Sequence, residues 1–434
     1  MRNLMKLVGL FGLAGSIAIA CSATSSSNVF SDGDANGGGV GGAGGAGNTS
    51  TGSSEGPGVV SVGVGSGGST GSGTTCSSQP GDDADMDGFT NPEDCNDCDP
   101  NVNPNAVEVT GSDGSGGAGG QPYEPADEDC DGMVDEPTDT CDGALNVADP
   151  DPLNGARAVE LCKMSTGPSD WGVISAGWVM ADGSPATADA DFHLGHGLLS
   201  GFGPNVTPRA GVRMLGVSSG AARQPSDPGY QSPGGFNKGY SGNHPQGFPK
   251  ESPACPGTTT GTPYDPTAIE IQVRVPSNAH GFSFDFNFYT YEWPGYICST
   301  FNDFFVAILN PIPQGQTDGQ ISFDNAGNPI SVNNSLLDVC GCSGGPPCFA
   351  GGKTFDCPLG NAELTGTGFE GHAATSWLKT TAPVEPNQII TIRWGAYDSG
   401  DGILDSTGLV DNWQWLADPG TVVGTTPVEP EEPE

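Results

Sequence analysis

The sequence predicts an all-β fold: a jelly-roll-like β-sandwich preceded by a small acidic calcium-loop module and a long disordered N-terminal linker. Apolar residues alternate with polar ones through Ile269, Ile271, Val273 and Val275, and again through Phe282, Phe284, Phe286 and Phe288. That is the period of two that a strand with two unlike faces requires. Beyond residue 142, aromatic and β-branched residues gather in short runs separated by turn residues. The 71 Gly and 37 Pro among 434 residues show that much of the rest is not packed core.

Taken in order, the chain opens with Arg2 and Lys6, an apolar run over residues 7–20, and Cys21. The run is too short to span a bilayer and has the form of an export signal. Ala18-Ile19-Ala20-Cys21 resembles a bacterial lipobox, which implies that Cys21 is the acylated first residue of the mature chain. Two or more acyl chains anchor a protein stably where one does not. The expected location is the cell envelope, as an outer-membrane lipoprotein facing away from the cytoplasm, with simple secretion as the alternative. Thirteen cysteines less Cys21 leave an even number for complete pairing, in keeping with an oxidising compartment.

Residues 21–80 are mostly Gly, Ser, Thr and small apolar residues, and cannot bury enough surface to offset the entropy of ordering. They are read as a tether with a typical span of about 45 Å. The formal charge of -39 comes from 52 acidic against 13 basic residues, and no Lys or Arg occurs between Lys6 and Arg157. Such a chain repels phosphate backbones, so nucleic acid is not an expected partner, and it attracts divalent cations.

The acidic module, residues 81–142, contains the densest motif. Asp83, Asp85, Asp87, Gly88, Phe89, Asn91 and Asp94 occupy positions 1, 3, 5, 6, 7, 9 and 12 of a twelve-residue calcium loop. Side-chain oxygens at alternate positions converge on a hard cation, Gly88 permits the sharp turn, and the Phe89 carbonyl supplies a ligand. Asp94 replaces the usual Glu, which shifts the expected affinity toward the extracellular range of about 10⁻⁴–10⁻³ M. A second run repeats the pattern with Asp127, Asp129, Asp131, Gly132 and Asp135, but has Thr138 at position twelve. Cys95-x-x-Cys98 has zinc-ligand spacing, although its oxygen-rich surroundings and an oxidising compartment favour disulfides and calcium. Together the two runs and Cys95-Asn96-Asp97-Cys98-Asp99-Pro100 resemble the metal-binding repeat of secreted bacterial proteins.

The sandwich is assigned to residues 143–420, with residues 304–309 apolar throughout and suited to a central strand. Ile390, Ile392, Trp394 and Ala396 mark one face of a further strand. Residues 282–309, with Tyr291-Glu292-Trp293-Pro294-Gly295-Tyr296 and Phe301-Asn302-Asp303, resemble the choice-of-anchor L domain of bacterial surface proteins. Met214-Leu215-Gly216-Val217-Ser218-Ser219-Gly220 and residues 398–406 extend that resemblance over about residues 171–415. It implies a β-sandwich at the cell envelope with no established catalytic activity. Residues 421–434 are read as an acidic disordered tail.

Catalytic patterns are weaker. Gly216-x-Ser218-x-Gly220 matches a hydrolase nucleophile elbow, but no helix is expected after it. His193 and His196 are read as structural. A carboxylate pair such as Glu292 with Asp303 is a conceivable acid and base. Glu292, Asn302, Asp303, Asp398, Asp401 and Asp405 are better read as a second metal or loop-organising site at one end of the sandwich, against the alternative that each merely caps a turn. The expectation is a non-enzymatic surface lipoprotein that binds calcium and displays the sandwich toward a glycan or protein ligand. A secreted hydrolase and a purely structural envelope component are the alternatives.

Overall fold

In the computed structural model, fourteen strands are described within residues 76–109, 125–137, 140–334 and 336–428. The export segment, Cys21, the tether up to residue 75 and Thr138 lie outside these residues. The strands are β1 (Gly172–Val179), β2 (His196–Leu199), β3 (Met214–Ser218), β4 (Pro263–Arg274), β5 (Gly281–Thr290), β6 (Phe304–Asn310) and β7 (Val339–Cys340). They continue with β8 (Cys348–Ala350), β9 (Lys353–Phe355), β10 (Ala373–Ala374), β11 (Leu378–Pro383), β12 (Ile389–Ser399), β13 (Ser406–Leu416) and β14 (Gly424–Pro427). One short helix, α1 (Pro152–Arg157), starts at an Asp151 cap whose side chain accepts from Leu153 N.

Twelve of the strands form two antiparallel sheets face to face, and β8 and β9 pair with each other as a separate two-stranded sheet. The smaller of the facing sheets has the order β1-β4-β12-β6; the larger runs β14-β11-β5-β13-β3-β2, with β10 on β5 and β7 on β10. Ile269, Ile271 and Val273 of β4 and Ile390, Ile392 and Trp394 of β12 meet Phe282, Phe284, Phe286 and Phe288 of β5 in one core. Phe282 stacks on Trp413 at 4.2 Å and Phe286 on Phe305 at 4.9 Å, so the period-two faces close on one another as expected. Each buried Phe contributes about 1.5–3 kcal/mol gross.

Three features differ from the sequence reading. Both faces of β5 are buried, because a second core containing Phe202, Met214, Tyr289, Leu364, Phe369 and Leu409 covers the outer face of the larger sheet. Two polar residues of β5 are paired across that outer face: Asp285 accepts from Arg209 Nε at 3.3 Å and from Asn412 Nδ2 at 2.9 Å, and Asn287 donates to Glu363 at 2.6 Å. β6 is an end strand rather than a central one. Its apolar residues are nevertheless covered, since the following segment pairs with it through Leu309 N to Gly319 O at 2.9 Å, Ile321 N to Ala307 O at 2.9 Å and Phe305 N to Ile330 O at 3.0 Å. Finally, the tail assignment fails over residues 421–428. β14 pairs with β11, and Thr425 is buried and bonded to Thr380 at 2.9 Å.

The acidic module packs against the sandwich within one compact unit, residues 73–434. Ser277 N donates to Asn105 O at 2.9 Å, and Asn278 bonds Val107 through both its side-chain oxygen and nitrogen, at 3.0 and 2.8 Å. All twelve cysteines from Cys76 onward are paired: Cys76–Cys98, Cys95–Cys130, Cys141–Cys162, Cys255–Cys298, Cys340–Cys357 and Cys342–Cys348.

Candidate metal centres

The first acidic loop is built by side chains that fold back onto their own backbone. Asp85 Oδ1 accepts from Asp87 N at 3.3 Å and Asp87 Oδ1 from Phe89 N at 2.8 Å, while Gly88 takes φ +102° at the turn. A Cβ at that φ would be strained, which is why position six of such a loop requires glycine. The loop closes through Gly81 N to Asn91 O at 2.7 Å and Asn91 N to Asp82 O at 3.1 Å.

One carboxylate oxygen from each of Asp85, Asp87 and Asp94 lies within 4.8 Å of the others, and so does one from each of Asp83, Asp85 and Asp97. Positions 1, 3, 5 and 12 of the predicted register thus come together. The Asn91 side-chain nitrogen donates to Ser78 Oγ at 3.0 Å, which leaves its Oδ1 free to face a cation. Asp97 joins the cluster from outside the register, and its Oδ1 also accepts from Ala84 N at 2.8 Å. Asp85 Oδ2, Asp87 Oδ2, Asp94 Oδ2 and Asp97 Oδ2 are buried without a hydrogen-bond partner. Burial, with the charges of Asp87, Asp85 and Asp97, pushes the Asp94 carboxyl up to about 6.

The second acidic run has the same construction. Gly132 takes φ +93°, Asp131 Oδ1 accepts from Met133 N at 2.8 Å, and Asp129 Oδ1 from Asp131 N at 3.1 Å. Oxygens of Asp127 and Asp129 approach Glu108, and those of Glu128 and Asp135 approach it as well, within 4.8 Å in each group. Glu108 is the organiser, accepting from the backbone N–H groups of Glu128, Asp129 and Asp135 at 2.9, 3.2 and 2.7 Å. Glu108 and Asp97 were not singled out as ligands from the sequence. Asp97 lies in the Cys95–Cys98 stretch just past the register, but Glu108 is about twenty residues from its partners and no local spacing reveals it. Zinc thiolate ligation is ruled out at Cys95 and Cys98, since both sulfurs are in disulfides.

The third cluster lies at one end of the sandwich, where β5 and β12 end and β6 and β13 begin. Thr290 pairs with Ser406 and Phe304 with Tyr397, which sets Glu292, Asn302, Asp303, Asp398 and Asp405 just beyond or beside the paired positions. These five are no more than 2 % exposed, while Asp401 is half-buried. Glu292 is raised to about 8 and Asp398 to about 7, by burial first and then by neighbouring carboxylates. Burial and neighbouring acids also hold Asp303 and Asp405 well above the usual carboxylate range. The turn-capping alternative accounts for two of these groups only in part: Asp398 Oδ2 and Asp401 Oδ1 both accept from Ile403 N, at 2.9 and 3.2 Å.

The nucleophile-elbow pattern has a different meaning in three dimensions. Ser218 is buried in β3, its hydroxyl donating to Ser406 O at 3.0 Å and accepting from Thr407 Oγ1 at 2.9 Å. His196 is buried and stacks on Trp178 at 3.7 Å, and His193 Nδ1 is 2.7 Å from Ala190 O, structural roles in both cases. Fold and sites together define a disulfide-stapled β-sandwich bearing oxygen-only carboxylate clusters. No protein-family model matches the chain, and comparison with curated proteins finds no match.

Proposed function

We propose that this protein is a non-catalytic surface lipoprotein, held at the outer membrane through Cys21, whose acidic module takes up calcium and whose choice-of-anchor L-like sandwich binds a glycan or protein ligand. The observation that carries this reading is the set of four buried, unpartnered carboxylate oxygens on Asp85, Asp87, Asp94 and Asp97 in a loop of calcium register. Carboxylate oxygens shielded from water and left unpaired side by side are unfavourable when charged, unless a cation compensates them. Six disulfides agree with life in an oxidising compartment.

The test is an array of glycans and matrix proteins probed with the full-length chain, once in millimolar calcium and once in chelator. Calcium-dependent capture of a ligand is the expected result. Absence of any ligand in calcium would leave a structural envelope component, and turnover of ester or glycoside substrates would replace the reading with a hydrolase.

A further inference from the structure

We propose that the end of the sandwich holds a second, interior calcium ion, coordinated by Glu292, Asn302, Asp303, Asp398 and Asp405. This site is separate from the acidic module and does not depend on it. Glu292 Oε2, Asn302 Oδ1, Asp303 Oδ1, Asp398 Oδ1 and Asp405 Oδ2 are each buried and without a hydrogen-bond partner among the described residues. An orphaned buried side-chain oxygen is rare, and four carboxylate oxygens and one amide oxygen at the ends of four neighbouring strands call for a shared partner.

The charges call for a cation. Glu292, Asp303, Asp398 and Asp405 face one another, and the buried ammonium of Lys238 acts on Asp405. Its Nζ is engaged with Ser218 O at 3.0 Å and Thr267 Oγ1 at 2.8 Å, and its attraction is divided among Asp265, Asp405, Asp189 and Asp191. One ammonium does not balance four carboxylates. The donor set is oxygen alone, with no His or Cys among the five, which selects a hard cation over zinc or copper. Calcium accepts six to eight oxygens in flexible geometry, whereas magnesium keeps several waters that so enclosed a site would have to exclude. Asp401, half-buried on the loop between β12 and β13, adds its charge to those on Glu292 and Asp398.

The role of the ion is to tie together the ends of both sheets. Glu292 follows β5 and Asp405 precedes β13 in the larger sheet, while Asp303 precedes β6 and Asp398 lies in β12 of the smaller. A cation held by all four converts mutual repulsion into a clamp between the layers.

The experiment uses the full-length chain with both acidic loops disabled by Asp85→Ala, Asp87→Ala, Asp127→Ala and Asp129→Ala. After stripping with chelator and return of calcium, the desalted protein is expected to retain one calcium equivalent and to melt at a higher temperature than the stripped form. Terbium in place of calcium should luminesce on aromatic excitation, since Trp293 and Tyr397 adjoin Glu292 and Asp398 in sequence. Adding Asp303→Asn and Asp398→Asn should abolish the retained calcium and the luminescence. Absence of retained calcium, terbium signal and thermal shift in the loop-disabled protein would overturn the proposal and leave a cluster of protonated carboxyls. Undiminished calcium after the two Asn substitutions would overturn it as well. Should the Asn variants fail to fold, the loop-disabled protein decides alone. The module's own calcium is read separately, from the difference between the loop-disabled and parent chains.

Discussion

Gly220 shows how a single residue is constrained by what it faces rather than by what its motif suggests. A Cβ built there would stand 2.2 Å from Asp405 Oδ2 and 2.3 Å from its Cγ, closer than any side chain tolerates. The last glycine of the Gly-x-Ser-x-Gly pattern is thus a packing requirement of the carboxylate cluster. Gly220→Ala is expected to destabilise the chain by about 1–3 kcal/mol, the usual cost of overpacking, by displacing Asp405. Denaturant unfolding of the variant checks this; a midpoint equal to that of the parent would mean the Asp405 loop moves aside without cost. Gly88 and Gly132 answer to a different constraint, positive φ in open space.

At the scale of elements, the two acidic loops are held by covalent links rather than by apolar packing. Cys95–Cys130 joins them across 35 residues and Cys76–Cys98 closes the first loop from the other side. Asn103 N donates to Glu128 O at 2.8 Å, so the loops also share backbone bonds. Replacing Cys95 and Cys130 by Ser is expected to cost about 2–5 kcal/mol of stability and to weaken calcium binding by the module, because the metal must then order the loops as well as bind them. Calorimetry on the full-length variant measures both. An unchanged calcium affinity would show that each loop is organised by itself. In saturating calcium, at about a hundred times Kd, a single site adds about 2.7 kcal/mol of stability, which sets the scale of the shift to look for.

At the scale of the molecule, the layers meet through buried acids whose ionisation is penalised. Glu160, just beyond α1, and Asp411 on β13 lie beside each other. Burial lifts Glu160 to about 7, and burial together with the Glu160 charge lifts Asp411 to about 9. Both folded values lie above the ordinary 4.5 and 3.8, so the folded chain holds these protons longer than the unfolded one. Their contribution to stability is present at acid pH and is lost as pH rises from about 4 through 7 to 9. With calcium present throughout, melting temperature should therefore fall between pH 5 and pH 9, and Glu160→Gln with Asp411→Asn should make that fall shallower. A profile as steep as the parent's would place the penalty in another buried acid, of which Asp265, raised by burial against the pull of Lys238, is one.

Local chemistry was legible in the chain, and long-range burial was not. The alternation in residues 269–275 and 282–288 and the spacing from Asp83 to Asp94 could be read because strand period and loop register are properties of a few consecutive residues. The even cysteine count agreed with complete pairing for a similar reason, since parity needs no geometry. The six residues from Glu292 to Asp405 could be grouped because they fall at strand ends, but the burial and the orphaned oxygens of all but Asp401 follow only from the pairing of Thr290 with Ser406 and Phe304 with Tyr397. Other features depended on chain segments far away in sequence: the second core over β5, the cover on end strand β6, the use of residues 424–427 as a strand, and the parts played by Asp97 and Glu108. A polar residue such as Asp285 or Asn287 carries no mark of whether water or Glu363 and Arg209 will meet it. Only the tertiary structure decides which polar faces are dried, because that depends on which distant segment is left to cover them.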